Sequence, residues 1–303
     1  MSENQASRLY EMSRYTYGTT RLGDENIPFD DRVDIARAAK DAGVWFHTSH
    51  TYGNALQVLR TVFDEDREHI PPAIFKIGWD SIPQIREIIH QNIEPLGINT
   101  MAVGQLCLGG AIAEEFRTGG ACYKGFQQLK EEGICERLVL EVWPWNSHVA
   151  LEALQHGYPD GVVDGYIFYL NPLQRFVSND LWDLFERNST PIVAMRTVAG
   201  GQVTRIRNHE GYPAYLRERA AEVVPVYEQS GCKTWTEFCV RFALGFPQVS
   251  STVGSTSHYE NLVEFLDNAS TFTPLPHETQ DAIMSLQRKW YLEHDVYAEP
   301  WSM

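Results

Sequence analysis

The chain has 303 residues, 40 acidic against 25 basic side chains, a formal net charge of −15, and 43% hydrophobic against 21% charged positions. That balance supports a full-sized buried core and excludes a compositionally disordered chain. The acidic excess and the lack of any basic run argue against nucleic acids and anionic membranes as partners, since neutralising phosphates requires clustered Lys and Arg.

In chain order, a first strand is expected near Thr16 to Leu22, then a helix over Asp31 to Ala42, marked by the acidic Asp30 and Asp31 at its start and by Gly43 at its stop. Strand Val44 to Thr48 precedes helix Ala55 to Asp66, strand Ala73 to Trp79 precedes helix Ile82 to Ile93, and strand Met101 to Leu108 precedes helix Gly120 to Glu132. Strands Arg137 to Trp143, Gly165 to Leu170 and Pro191 to Thr197 are followed by helices His148 to His156, Asp180 to Arg187 and Tyr212 to Gln229. The eighth strand, Gln248 to Gly254, leads into helix His258 to Asn268, which leaves Thr234 to Leu244 and Pro276 to Tyr291 as additional helices.

This alternation, with no Pro/Gly/Ser-rich linker, predicts an α/β fold: one (β/α)₈ TIM barrel domain over residues 1–303 with extra C-terminal helices. A doubly wound open sheet is the alternative, and no GxGxxG after an early strand supports it. No apolar stretch approaches the roughly 18 residues of a spanning helix, and the N-terminal MSENQASRLYEMSRYTYG lacks the apolar run of a secretory signal, so a cytoplasmic protein is expected. Five scattered cysteines, Cys107, Cys122, Cys135, Cys232 and Cys239, form no CxxC pair or zinc-type spacing and read as reduced thiols. Oligomeric state is not legible, because apolar helix faces for barrel packing and for association look alike.

In such a barrel the reactive groups project from the C-terminal strand ends. These are His47, His50 and Tyr52; Lys76 and Trp79; Gln105 and Cys107; Glu141, Trp143 and Trp145; Asn171 and Arg175; Arg196; and Ser255 to Ser257. Tyr52 and Lys76 fall on adjacent strands, where an ammonium favours phenolate and lowers a phenol pKa from ~10 toward usable acid/base chemistry. In a purely structural reading Lys76 instead pairs with Asp80 or Glu141. His47 and His50 lack a third ligand, so no metal is expected, and in the plainest reading they bond loop backbone. Trp143, Trp145, Tyr166 and Tyr169 are either packing or the walls of a sugar- or ring-binding cleft. Arg175 and Arg196 either bind a substrate carboxylate or phosphate or pair with acidic side chains.

Several segments, in order, resemble the aldo-keto reductase superfamily. Tyr17-Gly-Thr-Thr-Arg-Leu-Gly23 is similar to its first-strand glycine segment, and Phe46-His-Thr-Ser-His-Thr-Tyr-Gly-Asn54 resembles its Phe-Asp-Thr-Ala-x-x-Tyr-Gly-x motif. Phe75-Lys76 falls at the third-strand lysine, and Glu94-Pro-Leu-Gly-Ile98 is similar to the Leu-Gly segment before strand four. Asn171-Pro-Leu-Gln-Arg175 resembles the Tyr-Asn-x-x-x-Arg stretch, Ala199-Gly-Gly201 the Leu-Ala-Gly-Gly turn, and Ser251-Thr-Val-Gly-Ser255 the Ile-Pro-Gly-x phosphate loop.

The resemblance implies hydride transfer between a nicotinamide and a carbonyl, with Tyr52 as acid/base and Lys76 tuning it. His47 stands where the family has the Asp that holds the lysine. Cys107 stands where it has a substrate-orienting His, unless the alignment slips to Gln105. Without a carboxylate at position 47, Lys76 is expected to have a lowered pKa, usable as a base or Schiff-base nucleophile. His47 or His50 is then available for the polarising role. Cys107 as nucleophile has no evident basic partner.

The family's Ser-Asn pair after strand five is replaced around Trp143-Pro-Trp145, with Asn146-Ser147 substituting only if the loop register shifts, and its strand-six Gln falls near Ile167. Arg196, Gly254, Ser255, Thr256 and Ser257 are the implied cofactor-binding residues, and His50, Trp79, Trp143 and Trp145 the substrate-facing ones. The cofactor is NAD or NADP. A strand-eight loop without Lys or Arg favours NAD, because a helix N-terminus can cradle pyrophosphate but nothing is offered to a 2′-phosphate.

Two readings stand beside an atypical oxidoreductase acting on a small carbonyl, sugar or polyol. One is a non-redox isomerase, dehydratase or lyase using His47, Tyr52 and Lys76; the other is an inactive binding homologue.

Overall fold

Short runs rich in Val, Ile and Phe that are apolar on both faces suit strands covered by helices on one side and by each other on the inside. In the computed structural model, which describes residues 9, 11–78, 81–107, 110–155 and 161–293, eight such strands form the barrel. They are β1 (Tyr15–Gly18), β2 (Trp45–Thr48), β3 (Ala73–Lys76), β4 (Met101–Cys107), β5 (Cys135–Glu141), β6 (Gly165–Asn171), β7 (Ile192–Met195) and β8 (Val249–Gly254). All neighbours pair in parallel, and β8 pairs back onto β1, closing the sheet. This is the expected (β/α)₈ barrel, with each strand one to three residues from its predicted limits, apart from the first, which ends at Gly18.

The helices are α1 (Phe29–Asp41), α2 (Ala55–Asp64), α3 (Ile82–Ile93), α4 (Gly110–Thr118), α5 (Ala121–Glu131), α6 (Ser147–Gln155), α7 (Asn179–Asn188), α8 (Val203–Asn208), α9 (Ala214–Gln229), α10 (Trp235–Leu244), α11 (Tyr259–Ser270) and α12 (His277–Glu293). Two were not expected. The glycine pairs that flank α4 in sequence read as loop, yet Ile112, Ala113 and Phe116 form a buried stripe at helical spacing. The six-residue α8 is too short to show a period.

A third difference concerns α10, expected as an addition. It packs directly on β8, with Trp235, Phe238, Cys239, Val240, Phe242 and Ala243 all buried. The neighbouring α9 packs mainly against α8 and α12. Thus α10 is the barrel helix and α9 the addition.

The register orders the interior. His47 on β2 aligns with Ile74 and thence with Val103, while Lys76 on β3 aligns with Gln105 and thence with Val139. Closing an eight-stranded barrel requires the strands to stagger by about one residue each, so side chains two strands apart and two residues further on share a height. Gly18, Lys76, Glu141 and Met195 therefore form one layer. His47, Gln105, Ile167 and Val253 form the layer beneath it. Below these lies an apolar plug of Ile74, Val103, Val139 and Val193, with Leu9 and Met12 packed against it. The outward residues, among them Tyr17, Phe46, Phe75, Leu138, Leu140 and Phe168, join the larger core under the helices.

Candidate active site

Lys76 and Glu141 in the top layer and His47 and Gln105 in the one beneath bring polar side chains into the barrel interior on the β2–β5 side, and the mouth opens into a cavity of about 480 Å³. Lys76, Gln105, Cys107, Glu141, His50, Trp143 and Trp145 line it. The structure thus brings together strand-end residues from β2, β3, β4 and β5. Trp79 lies outside the described residues.

Tyr52 sits in the turn between β2 and α2, its amide donating to the Ser49 carbonyl at 3.0 Å. Its backbone is clamped: a Cβ on Gly23 would lie 2.0 Å from the Tyr52 carbonyl oxygen, and one on Gly53, at φ +49°, would lie 2.4 Å from the Gly23 oxygen. Only glycines permit these two segments to touch backbone to backbone. The clamp sets the Tyr52 hydroxyl near the Lys76 ammonium and the Thr20 side chain, both of which work to lower its pKa. Burial raises the phenol's pKa, and Glu141 adds to this, outweighing the pull of Lys76. The lowering expected from the Tyr–Lys spacing is therefore reversed, and Tyr52 is held as a neutral phenol that can give up a proton.

Lys76 also departs from expectation. Burial works to lower its pKa, but Glu141, followed by Tyr52 and Tyr169, overcomes this and the pKa is raised. The Lys76 Nζ lies 3.6 Å from Glu141 Oε1. The sequence offers this carboxylate, or Asp80, as a purely structural partner of Lys76 and does not count it among the site residues; the pairing with Glu141 is present, and Asp80 lies outside the described residues. Strand parity points Glu141 inward; only the stagger of the barrel brings it level with Lys76. A charged Lys76 is unsuited to act as a base or Schiff-base nucleophile.

His47 is buried below, its Nε2 2.6 Å from Gln105 Oε1. Burial, with the nearby Lys76 charge, lowers its pKa to about 4, so it is neutral near pH 7. Cys107 lines the mouth as a protonated thiol, its pKa pushed up to about 12 by burial and by Glu141. That removes the thiolate a nucleophile would need.

His50 is half-buried and its pKa is lowered by burial. The buried Asn92 of α3 accepts from the His50 amide through Oδ1 at 2.8 Å, which orients its Nδ2 toward His50 Nδ1 at 3.3 Å. With Nδ1 accepting, the neutral ring carries its proton on Nε2, available as a donor at the cavity wall. No cluster of three or more His, Cys, Asp or Glu suited to a metal occurs among the described residues.

The far wall is aromatic. Trp143 and Trp145 stack at 5.3 Å and 11°, and Trp143 also contacts Tyr169 at 5.1 Å and Phe176 at 5.6 Å. Tyr166, in contrast, faces outward and packs on Phe185. Arg175 is buried against Trp182 and bonded to Asn179, away from the cavity lining. Arg196 is exposed, at φ 56°, with its guanidinium 5.4 Å above the Tyr169 ring.

Residues suited to the phosphates of a dinucleotide lie at the end of β8. A Cβ on Gly254 would meet the Phe265 ring at 2.8 Å, so glycine lets the loop lie flat on α11. Ser255 is exposed and Ser257 half-buried. Thr256 is turned into the loop, where its hydroxyl accepts from the His258 amide and the Asn261 side chain. Positions 254–261 hold no Lys or Arg. The nicotinamide side fits less well: Asn146 Oδ1 is committed to the Trp143 amide at 2.8 Å, and Ile167 is an apolar core residue.

No protein-family model and no curated protein matches the sequence. The three-dimensional fold does have relatives. It is similar to aldo-keto reductase AKR11C1 from Bacillus halodurans in its holo form, at 19% identity, covering 91% of this chain and 95% of that one with a TM-score of 0.71. The glycerol dehydrogenase AKR11B4 from Gluconobacter oxydans aligns at 16% identity over 92% of both chains, TM-score 0.69. An aldo/keto reductase from Klebsiella pneumoniae, in complex with NADP and acetate, aligns at 14% identity over 91% of this chain and 92% of that one, TM-score 0.67. The chain has the barrel of the aldo-keto reductases, as the ordered segments of its sequence imply. No described helix is long and apolar enough to cross a membrane.

Proposed function

We propose that the protein is an atypical aldo-keto reductase-like oxidoreductase that reduces a small carbonyl compound of the sugar or polyol type. The observation that carries this reading is the proximity of the Tyr52 phenol to the ammonium of Lys76, which lines the cavity. Structural neighbours that include a glycerol dehydrogenase and an NADP complex support it.

A bound nicotinamide cofactor supplies the hydride. Gly254, Ser255, Ser257 and the start of α11 would hold its pyrophosphate, with Arg196 as a nearby cation, and the lack of Lys or Arg in that loop supports NAD. Tyr52 gives its proton to the carbonyl oxygen as the carbon accepts hydride; the phenolate left behind is stabilised by Lys76 until solvent reprotonates it. His50 orients the carbonyl through its Nε2–H. Cys107 leaves room beside it, and Trp143 and Trp145 form an apolar wall on which a sugar ring can lie.

The commitment of Asn146 Oδ1 to backbone favours one other reading, non-redox proton transfer by Tyr52 and Lys76, because it removes an acceptor for the nicotinamide carboxamide. Calorimetric titration with NADH and NADPH, combined with carbonyl-dependent cofactor oxidation over a panel of aldoses and ketoses, separates the two. Micromolar binding and turnover are expected, with Tyr52→Phe retaining binding and losing about 10²- to 10⁴-fold in rate. No binding at millimolar cofactor would transfer the assignment to proton-transfer chemistry.

A further inference from the structure

The buried carboxylate of Glu141 has no hydrogen-bond donor on its Oε1 among the described residues, is 4% exposed, and faces the cavity at 3.6 Å from Lys76 Nζ. An ion buried to this degree is costly unless a charge compensates it, and Lys76 is the cation it meets. Lys76 has the converse need. Its neighbours are Tyr52 from the β2–α2 turn, Glu141 from β5, Tyr169 from β6, the neutral His47 from β2 and the Cys107 thiol from β4. Among the described residues Glu141 is the carboxylate of this set; Asp80, the other partner the sequence offers, lies outside them.

We propose that Glu141 is a positioning residue that keeps Lys76 charged and directed at Tyr52, so that the anion of this site comes from β5 and position 47 of β2 is free to hold a neutral histidine. The layer that Lys76 and Glu141 share makes the exchange possible. A carboxylate two strands along reaches the ammonium from the cavity side, whereas one at position 47 would reach it from the layer below. His47 is correspondingly bound to Gln105 rather than to Lys76.

The proposal rests on the reading of Tyr52 and Lys76 as the reacting pair, and its test separates the two. In the protein without substrate, the pH dependence of Lys76 acetylation by acetic anhydride, read by peptide mass spectrometry, gives the Lys76 pKa directly. Glu141→Gln is expected to lower it by about one to three units, raising the acetylation rate at least tenfold below the transition, while Glu141→Asp retains most of the original value. Carboxylate return in the double variant His47→Asp, Glu141→Gln is expected to raise it again. Carbonyl turnover should follow the same order, with kcat falling more than KM rises and the basic limb of the pH profile moving down in Glu141→Gln.

An unchanged Lys76 pKa in a folded Glu141→Gln protein overturns the proposal, whether or not the protein reduces carbonyls. A lowered pKa restored by His47→Asp supports it even if no carbonyl is turned over, in which case the oxidoreductase reading alone fails. Should Glu141→Gln fail to fold, Glu141→Met, which fills the space without the charge, carries the same comparison, with a lowered Lys76 pKa expected and an unchanged one overturning the proposal.

Discussion

Asn92 Oδ1 accepts the His50 amide at 2.8 Å while the Asn92 Nδ2 donates to the Lys76 carbonyl at 3.1 Å, so one buried side chain of α3 ties the end of β2 to the end of β3. Both strand ends carry candidate reacting groups, and the amide fixes their spacing. Asn92→Ala strips the His50 amide of its acceptor beside a cavity wall where the amide is partly buried. A loss of about 1–3 kcal/mol in unfolding free energy is expected, measurable by urea denaturation, with Asn92→Asp milder because Oδ1 survives. A stability equal to that of the parent would show that water replaces these bonds.

Acid should destabilise the fold through His47. Its pKa is lowered to about 4 in the native state against about 6.5 in the unfolded chain, so the unfolded state binds the extra proton between these values. The contribution is fully present above pH 6.5, declines as pH falls through that window, and is gone below about pH 4. It amounts to roughly 3 kcal/mol at about 1.4 kcal/mol per unit. His50, also lowered by burial, acts in the same direction. Unfolding free energies at pH 7, 5.5 and 4.5 should show this slope, and His47→Gln should flatten it.

Thiol chemistry gives an independent check on the mouth of the barrel. With its pKa at about 12, Cys107 is almost wholly protonated at pH 8 although it lines the cavity. Iodoacetamide should label the half-buried Cys232 before Cys107, Cys135 or Cys239, as followed by peptide mass spectrometry of the native protein. Rapid alkylation of Cys107 would mean that its thiol is not held in a buried, protonated state.

Cofactor choice follows from the β8 loop. With Ser255 and Ser257 at its surface and no Lys or Arg from 254 to 261, NADH should bind more tightly than NADPH. Ser257→Arg is expected to raise NADPH affinity about tenfold or more, as a charge-assisted contact of about 1.5–3 kcal/mol would, with little change for NADH. Equal gains for both cofactors would place Ser257 at the pyrophosphate rather than near the ribose.

The order of strands and helices was legible because the apolar runs are short, regular and separated by amphipathic segments whose period the side chains display. Tyr52 and Lys76 were legible for a similar reason: a lysine inside Ala73-Ile-Phe-Lys-Ile-Gly78 is anomalous in any strand buried on both sides. Glycines on both sides of α4 concealed that helix, since glycine marks a turn equally well in a loop and at a helix end. The roles of α9 and α10 were exchanged because periodicity identifies a helix without showing which strand it covers.

Local sequence determined which side chains face inward, through the alternation of each strand, and so placed His47, Lys76, Gln105, Cys107 and Glu141 in the barrel. Tertiary structure alone decided which of them meet. The stagger that closes eight tilted strands belongs to no single strand, and it is this stagger that sets Lys76 level with Glu141 and His47 level with Gln105. A carboxylate missing from one strand was therefore visible in the sequence, while the choice of Glu141, two strands away, from the partners the sequence offered to Lys76 was made only when the barrel closed.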